Sequence, residues 1–311
     1  MDLYISGSLA YDRIMDFPGK FSDHIIPDKI HVLNVCFTLN GLTENFGGTA
    51  GNIGYSLGLL DEKPIIIASA GQDFDRYEQW IKENNLSMAG IRKITDEFTA
   101  GAYITTDMSD NQITAFNPGA MTHPSLYRFD GADNDNALAI ISPGCVDDMV
   151  AYSQEFKKRN IPYIFDPGQQ INVLTGQQLV EMITGSTILI SNDYELAQIQ
   201  SVTGLSDGDI LARTPTVITT LGEKGSVIRT ENEETAIPIA RADRVVDPTG
   251  AGDAYRAGLI KGIAMGKTLP VSAKIGATCA SYAVACQGTQ VHRFTMEAFW
   301  DRYRKSFTHI E

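Results

Sequence analysis

A mainly parallel α/β fold is predicted by three features of this 311-residue sequence. Beyond residue 137, short apolar runs alternate with longer helix-like stretches, the rhythm of right-handed strand–helix–strand crossovers. The chain enters on a short apolar run, Leu3 to Ser6, that stops at Gly7-Ser8. Near the other end, a turn of proline and glycine at 247–252 leads into a helix with apolar Ala254, Ala257, Leu259 and Ile260. With 43% hydrophobic and 20% charged residues the composition is that of an ordinary globular protein, and the length suits one α/β domain over residues 1–311.

In order, Leu3 to Ser6 is a strand whose C-terminal end, in open α/β sheets, faces the ligand crevice, with Ser8 and Asp12 in reach; Asp12 reads equally as a turn residue. Residues 16–46 break the rhythm with Pro18, Gly19 and Pro27. The run Ile30 to Phe37 that follows lacks alternation, which predicts a strand covered on both faces, a lid strand against another subunit. Ala50 to Leu60 reads as a helix, and its Gly51, Gly54 and Gly58 signal tight packing or a ligand near the backbone. Pro64 to Ala70 is a buried strand and Phe74 to Lys82 a helix; Thr99 to Thr106 and Gln112 to Phe116 are extended runs joined by the polar hairpin loop 107–111. Strands at 137–142, 161–165, 187–191 and 216–220 alternate with helices near 147–158, 176–183 and 193–202. After a turn at 223–226 come extended runs at 227–230 and 235–239, then helices at 251–265, 271–286 and 295–305.

A net charge of −13 argues against a nucleic-acid or anionic-membrane partner, so any phosphate must be held locally. Cys36, Cys145, Cys279 and Cys286 have neither zinc-ligand nor redox spacing and read as reduced thiols. The N-terminus lacks a basic region followed by a long apolar run, and no segment reaches membrane-spanning length, so a cytoplasmic location is expected.

The turn at 247–253 carries chemistry. The first amides of its helix, Gly250, Ala251, Gly252 and Asp253, lack intrahelical acceptors and are not covered by bulky side chains, which makes an anion hole. Asp253 would repel a bound phosphate, yet it suits a base that takes a proton from an attacking hydroxyl during phosphoryl transfer. A bare Gly-x-Gly-Asp is also simply a helix start with an acidic first turn. Asn192 and Glu195 follow a strand one helical turn apart, as a magnesium-water and phosphate shell requires and as a capping box equally does. The small residues Gly276, Ala277, Ala280 and Ser281 fit either a slot for adenine or close helix packing. No Gly-x-x-x-x-Gly-Lys-Ser/Thr loop, no protein-kinase motif set and no dinucleotide-binding Gly-x-Gly-x-x-Gly fingerprint is present.

Asp-Pro-Thr-Gly-Ala-Gly-Asp at 247–253, Gly-Gly-Thr-Ala-Gly-Asn at 47–52 and Asn192-Asp-Tyr-Glu195 occur in the order found in the ribokinase family of carbohydrate and nucleoside kinases, which the sequence resembles. The resemblance implies a ribokinase-like three-layer sandwich with a small β-strand lid inserted at about 13–46 and 99–117; the apolar run on the lid's exposed strand edge predicts a homodimer through the lid strands. It implies ATP as co-substrate, with Asn192, Thr220, Gly222, Gly225, Gly250 and Gly252 around it, Mg2+ reached through water by Glu195, and a K+ site at Asp247 near Gly288.

Segments such as Gly7–Asp12, Phe17–Ser22, Gln112–Phe116, Pro118–Met121, Asp166–Gln170 and Gly288–Gln290 are more narrowly similar to bacterial adenosine kinases of this type. That similarity implies phosphorylation of the adenosine 5′-hydroxyl, in purine salvage. Asp12, Asn52, Gly47 and Gly48 would hold the ribose, Phe116 would stack on the base, Gln169 and Gln170 would read its edge, and Ser8 would lie close by. Two departures, Ala102 where some relatives place a second aromatic and Cys36 where a serine is usual, bear on specificity. A sugar kinase, a broad nucleoside kinase and a non-catalytic nucleoside-binding regulator are the alternatives.

Overall fold

The computed structural model describes residues 1–109 and 111–307; Asp110, in the expected hairpin loop, lies outside the described residues. The strands and helices in chain order are β1 (Asp2–Ser6), β2 (Ala10–Asp16), β3 (Gly41–Gly47), α1 (Thr49–Leu59), β4 (Ile65–Ala70), α2 (Asp75–Glu83), β5 (Ile91–Lys93), β6 (Ala100–Thr106) and β7 (Gln112–Asn117). They continue with β8 (Ala137–Ile141), α3 (Val146–Arg159), β9 (Tyr163–Phe165), α4 (Gly176–Ile183), β10 (Ile188–Asn192), α5 (Asp193–Thr203), α6 (Asp207–Leu211) and β11 (Val217–Thr220). The last are β12 (Ser226–Arg229), β13 (Glu234–Ile237), α7 (Ala251–Ala264), α8 (Leu269–Ala283) and α9 (Met296–Phe307).

The large sheet runs β13-β12-β11-β10-β9-β8-β1-β4-β5, and its pairings are parallel except β11–β12 and β12–β13, which are antiparallel. Alternation along each strand assigns side chains to its two faces. Leu3, Ile5, Leu138 and Ile140 pack toward α1, α2, α7 and α8, whereas Tyr4, Ala139 and Ile141 pack toward α3, α4 and α5. This is a three-layer sandwich. The strand order reverses beside β1, with β8 on one side and β4 on the other, so the crevice opens beyond the C-terminal ends of these strands. Gly258 and Gly276 let α7 and α8 touch: a Cβ at Gly258 would lie 2.6 Å from Ile275 O, and one at Gly276 2.7 Å from Tyr255 O. Of the small residues on α8, Gly276 therefore serves helix packing.

A second sheet, ordered β3-β2-β6-β7, stands over the crevice. Here the sequence expectation fails in two places. Ile30 to Phe37 is not a strand: Pro27–Val32 is a kinked 3-10 helix with Pro27 at its start, and the lid strand begins only at Gly41. Phe37 at its end packs inward, against Phe17, Phe21 and His24, while Ile30, Val32 and Leu33 are 63%, 64% and 51% exposed. Asp12, in turn, is no turn residue but sits inside β2, opposite Asn45 of β3 and Ala102 of β6.

Candidate active site

Two cavities meet at the start of α7. One of about 560 Å³ lies between the lid and the ends of the large sheet, lined by Ser8, Asp12, Gly48, Asn52, Phe116, Gln169, Asn192, Glu195, Gly250, Asp253 and Arg256 among others. The other, of about 600 Å³ and mainly apolar walls, lies between the Thr220–Ser226 turn and α8, where Ala277, Ala280 and Ser281 face it. Thr220, Gly222, Pro248, Ala251 and Gly252 line both.

The shared rim is the helix start expected from sequence. Gly250 caps α7 at φ 77°, a left-handed conformation that favours glycine. The Ala251 amide donates to Pro248 O at 3.1 Å, so it is not one of the free donors expected at the anion hole; Gly250, Gly252 and Asp253 retain amides without an acceptor among the described residues. Asp247 shapes the loop: its Oδ1 accepts from Thr249 N at 2.9 Å and its Oδ2 from Gly288 N at 2.8 Å. Burial raises its pKa, but these bonds outweigh that and hold it below the usual carboxylate value.

Asp253 is half-buried with its open side toward the cavity. Burial pushes its pKa up to about 6, against the pull of the Arg256 guanidinium and of a hydrogen bond from Asn52, while Asp166 and Asp12 push the same way as burial. A carboxylate with that value is a competent base near neutral pH. Asn52 Nδ2 donates to Asp253 Oδ2 at 2.8 Å, so Asn52, expected on the ribose alone, is first of all a partner of Asp253.

Around the lid-side cavity, Ser8 Oγ accepts from Thr49 N at 3.1 Å and ties β1 to the start of α1. Gly48 sits at φ 85°, and a Cβ there would come 2.5 Å from Ser8 O. Gly47 does not reach the cavity; its carbonyl accepts from Tyr77, and a Cβ on it would strike Asp12 Oδ2 at 2.5 Å, so it supports Asp12 rather than touching a ligand. Burial raises the pKa of Asp12, a hydrogen bond from Thr289 partly offsetting it. Phe116 is 52% exposed and faces the same cavity, paired across the lid sheet with Ala102. A buried core role for Phe116 is thereby excluded.

Gln169 lines the cavity, whereas Gln170 is buried and donates to Gly144 O at 2.5 Å, so the expectation that Gln170 reads a base edge is corrected. Asn192 and Glu195 form a complete capping box, Glu195 N to Asn192 Oδ1 at 2.7 Å and Asn192 N to Glu195 Oε2 at 2.8 Å, and both still line the cavity. The two readings of their spacing therefore coexist. Gly225 is at φ 88° with Ile237 O only 2.1 Å from where a Cβ would lie, which fixes the turn beside the second cavity.

The sequence reading missed Asp166, just after β9, and Arg256, one turn beyond Asp253. They form a buried ion pair on the cavity wall, Arg256 Nη2 donating to Asp166 Oδ1 at 2.7 Å while Nε meets Oδ2. A Cβ on Gly252 would lie 2.9 Å from Arg256 Nη1, which puts the guanidinium beside the first turn of α7. Only the i, i+3 spacing of Asp253 and Arg256 hinted at it. Among the described residues no group of three or more His, Cys, Asp or Glu is arranged to hold a metal ion, and no helix is long and apolar enough to cross a membrane.

The start of α7 thus brings amides without an acceptor and the Asp253 carboxylate to the seam of two cavities. The family model "pfkB family carbohydrate kinase" matches residues 23–294. A nucleoside kinase of Methanocaldococcus jannaschii is 30% identical over 281 residues, 89% of this chain and 92% of that protein. The Burkholderia thailandensis nucleoside kinase in complex with inosine superposes with a TM-score of 0.86 at 37% identity, covering 98% of each chain. The structure of the M. jannaschii nucleoside kinase, an archaeal member of the ribokinase family, gives a TM-score of 0.86 at 28% identity over 98% of this chain and 99% of that one. With a ribokinase-like fold and a family match across most of its length, this chain belongs to the pfkB family of carbohydrate kinases.

Proposed function

We propose that this protein is a nucleoside kinase that transfers the γ-phosphoryl group of ATP to the 5′-hydroxyl of a purine nucleoside, with adenosine the finer assignment. The observation that carries the reading is Phe116, a half-exposed aromatic on the wall of the cavity that holds Asp253. A flat base has a platform there, and a free sugar does not need one. The relatives named above, including one solved with inosine, support the nucleoside class. With Gln170 turned away, the single amide of Gln169 is left for the base edge, and an amide both donates and accepts. That suits adenine and hypoxanthine alike, so broad purine acceptance is the expectation.

In the reaction Asp253 takes the 5′-hydroxyl proton, the resulting oxygen attacks the γ-phosphorus, and the bond to the β-γ bridging oxygen breaks to release ADP. The amides of Gly250, Gly252 and Asp253, with Arg256 beside them, neutralise the transferring group. ATP occupies the apolar second cavity with its phosphates toward Gly252. Glu195, on the wall of the phosphate-side cavity, would hold a magnesium ion through water, and the ion would supply charge neutralisation at the phosphates. Asp247 shapes the loop by accepting from the Thr249 and Gly288 amides, and its remaining lone pairs are free to serve the monovalent cation expected there. Parallel assays of ATP-dependent phosphorylation of adenosine, inosine, cytidine, ribose and fructose test the assignment: kcat/KM higher for the sugars than for both purine nucleosides would overturn it.

A further inference from the structure

Behind Asp253 runs a buried chain of side-chain hydrogen bonds whose direction is set by groups with only one possible role. Trp80 Nε1–H, which can only donate, meets Gln290 Oε1 at 3.0 Å. Gly47 C=O, which can only accept, receives the Tyr77 hydroxyl hydrogen at 2.7 Å, so the Tyr77 oxygen is left to accept. Gln290 must therefore turn its NH2 toward Tyr77 and Asn52, at 2.5 Å and 3.0 Å. Asn52 receives that donor on Oδ1 and has only its own NH2 to offer Asp253, at 2.8 Å. Reversing any amide would set two donors or two acceptors face to face in a buried site.

We propose that Gln290 is a positioning residue for Asp253, locking the Asn52 amide so that it always donates to the carboxylate and holds the second carboxylate oxygen toward the acceptor hydroxyl. Two independent observations mark a built feature. Gln290 is 3% exposed yet holds a left-handed backbone at φ 58°, uncommon for a residue with a side chain. Gly51 clears the path, since a Cβ there would lie 2.0 Å from the Tyr77 hydroxyl and 2.9 Å from Gln290 Nε2. The ionised form of Asp253 gains from the Asn52 donor, so the lock lowers a pKa that burial raises.

The inference rests on Asp253 being the base. Gln290→Met removes the lock at nearly constant volume and frees Asn52 to present its oxygen to the carboxylate. The expected result is an acid limb of kcat/KM moved up by about 0.5–1 pH unit, which lowers kcat/KM at pH 6 by roughly 2- to 5-fold, with the ATP KM within about twofold and the loss fading toward pH 8.5. Trp80→Phe guards against a folding failure. It deletes only the indole donor at a half-buried position and keeps a ring against Phe46 and Tyr55, and its limb should move the same way by less. The ionisable groups that face Asp253 are Arg256 on its own helix, Asp166 after β9, Asp12 on β2 and Tyr77 on α2, all unchanged in both variants. Acid limbs that coincide with wild type in the folded variants overturn the lock. Asp253→Asn separates the two ideas: if it keeps wild-type turnover the base reading fails, and if it loses turnover while the other limbs stay put, only the lock fails.

Discussion

Arg256 and Asp166 are paired on the wall of the cleft with side-chain exposures of 8% and 3%, and the same guanidinium lies beside Gly252 and attracts Asp253. A buried pair of this kind is costly to break on one side, because the remaining charge has no partner. Arg256→Met is therefore expected to lower stability by ~3–5 kcal/mol. The double variant Arg256→Met/Asp166→Leu should regain most of that stability, read by urea unfolding, without regaining turnover, because Asp253 and the transferring phosphoryl group still lack their cation. Activity recovering together with stability would reduce the pair to scaffolding.

Asp253 carries an opposite trade. Its pKa in the folded protein, about 6, lies above the ordinary 3.8, so stability present at low pH is lost as pH rises through the interval between them. Asp253→Asn, neutral throughout, should be more stable than wild type at pH 7.5, by ~1–2 kcal/mol after allowing for screening through the open cavity side. The gap should narrow as pH falls from about 6 toward 4. The same variant should lose roughly 10²–10⁴ in kcat with nucleoside and ATP binding nearly intact. Wild-type kcat/KM should fall below an apparent pKa near 6. An unmoved acid limb in a fully active Asn variant would remove Asp253 from the chemistry.

How much of this was legible follows from which residues act locally. The apolar strands Ala137–Ile141 and Tyr163–Phe165 announce themselves because burial on both faces demands such composition. The strand Ala10–Asp16 does not: its Arg13 is held by Glu44 at 2.9 Å and by Tyr103 at 2.9 Å, partners on other strands that no local window contains. The helix start that carries Asp253 onto the cavity wall was readable because its glycines and carboxylate fall in one short stretch. Gln169 and Gln170 were inseparable by type, and a 3-10 turn sends one into the cavity and the other into the wall. The pairs Arg256–Asp166 and Asn52–Asp253 join positions 90 and 201 residues apart, a separation at which composition is silent.

The lid leaves apolar side chains uncovered: Ile26, Ile30, Val32, Leu33 and Leu42 are each more than half exposed, around the edge strand Gly41–Gly47. An open strand edge beside an apolar surface favours pairing with a copy of itself about a twofold axis. We expect a homodimer through the lid at micromolar concentration. Leu42→Lys with Val32→Lys should shift it to monomer in sedimentation velocity; wild type sedimenting as a monomer would dismiss the contact.

The choice between nucleoside and sugar falls on Phe116. Ribose hydroxyls are common to both acceptor classes, so Asp12 cannot discriminate, whereas a base needs a flat partner. Phe116 has 52% of its surface exposed and Ala102 opposite it, so truncation removes a platform and leaves the core untouched. Phe116→Ala should therefore spare the loss of ~3–5 kcal/mol that a buried phenylalanine would show. Stacking worth about 1–3 kcal/mol predicts an adenosine or inosine KM higher by roughly 5- to 150-fold, with activity on free ribose hardly changed. Phe116→Tyr should restore the nucleoside KM, because a flat ring is what the base requires. Equal losses on nucleoside and ribose, in a protein whose melting temperature is unchanged, would mean that Phe116 shapes the lid rather than the base site, and the nucleoside assignment would lose the observation that carries it.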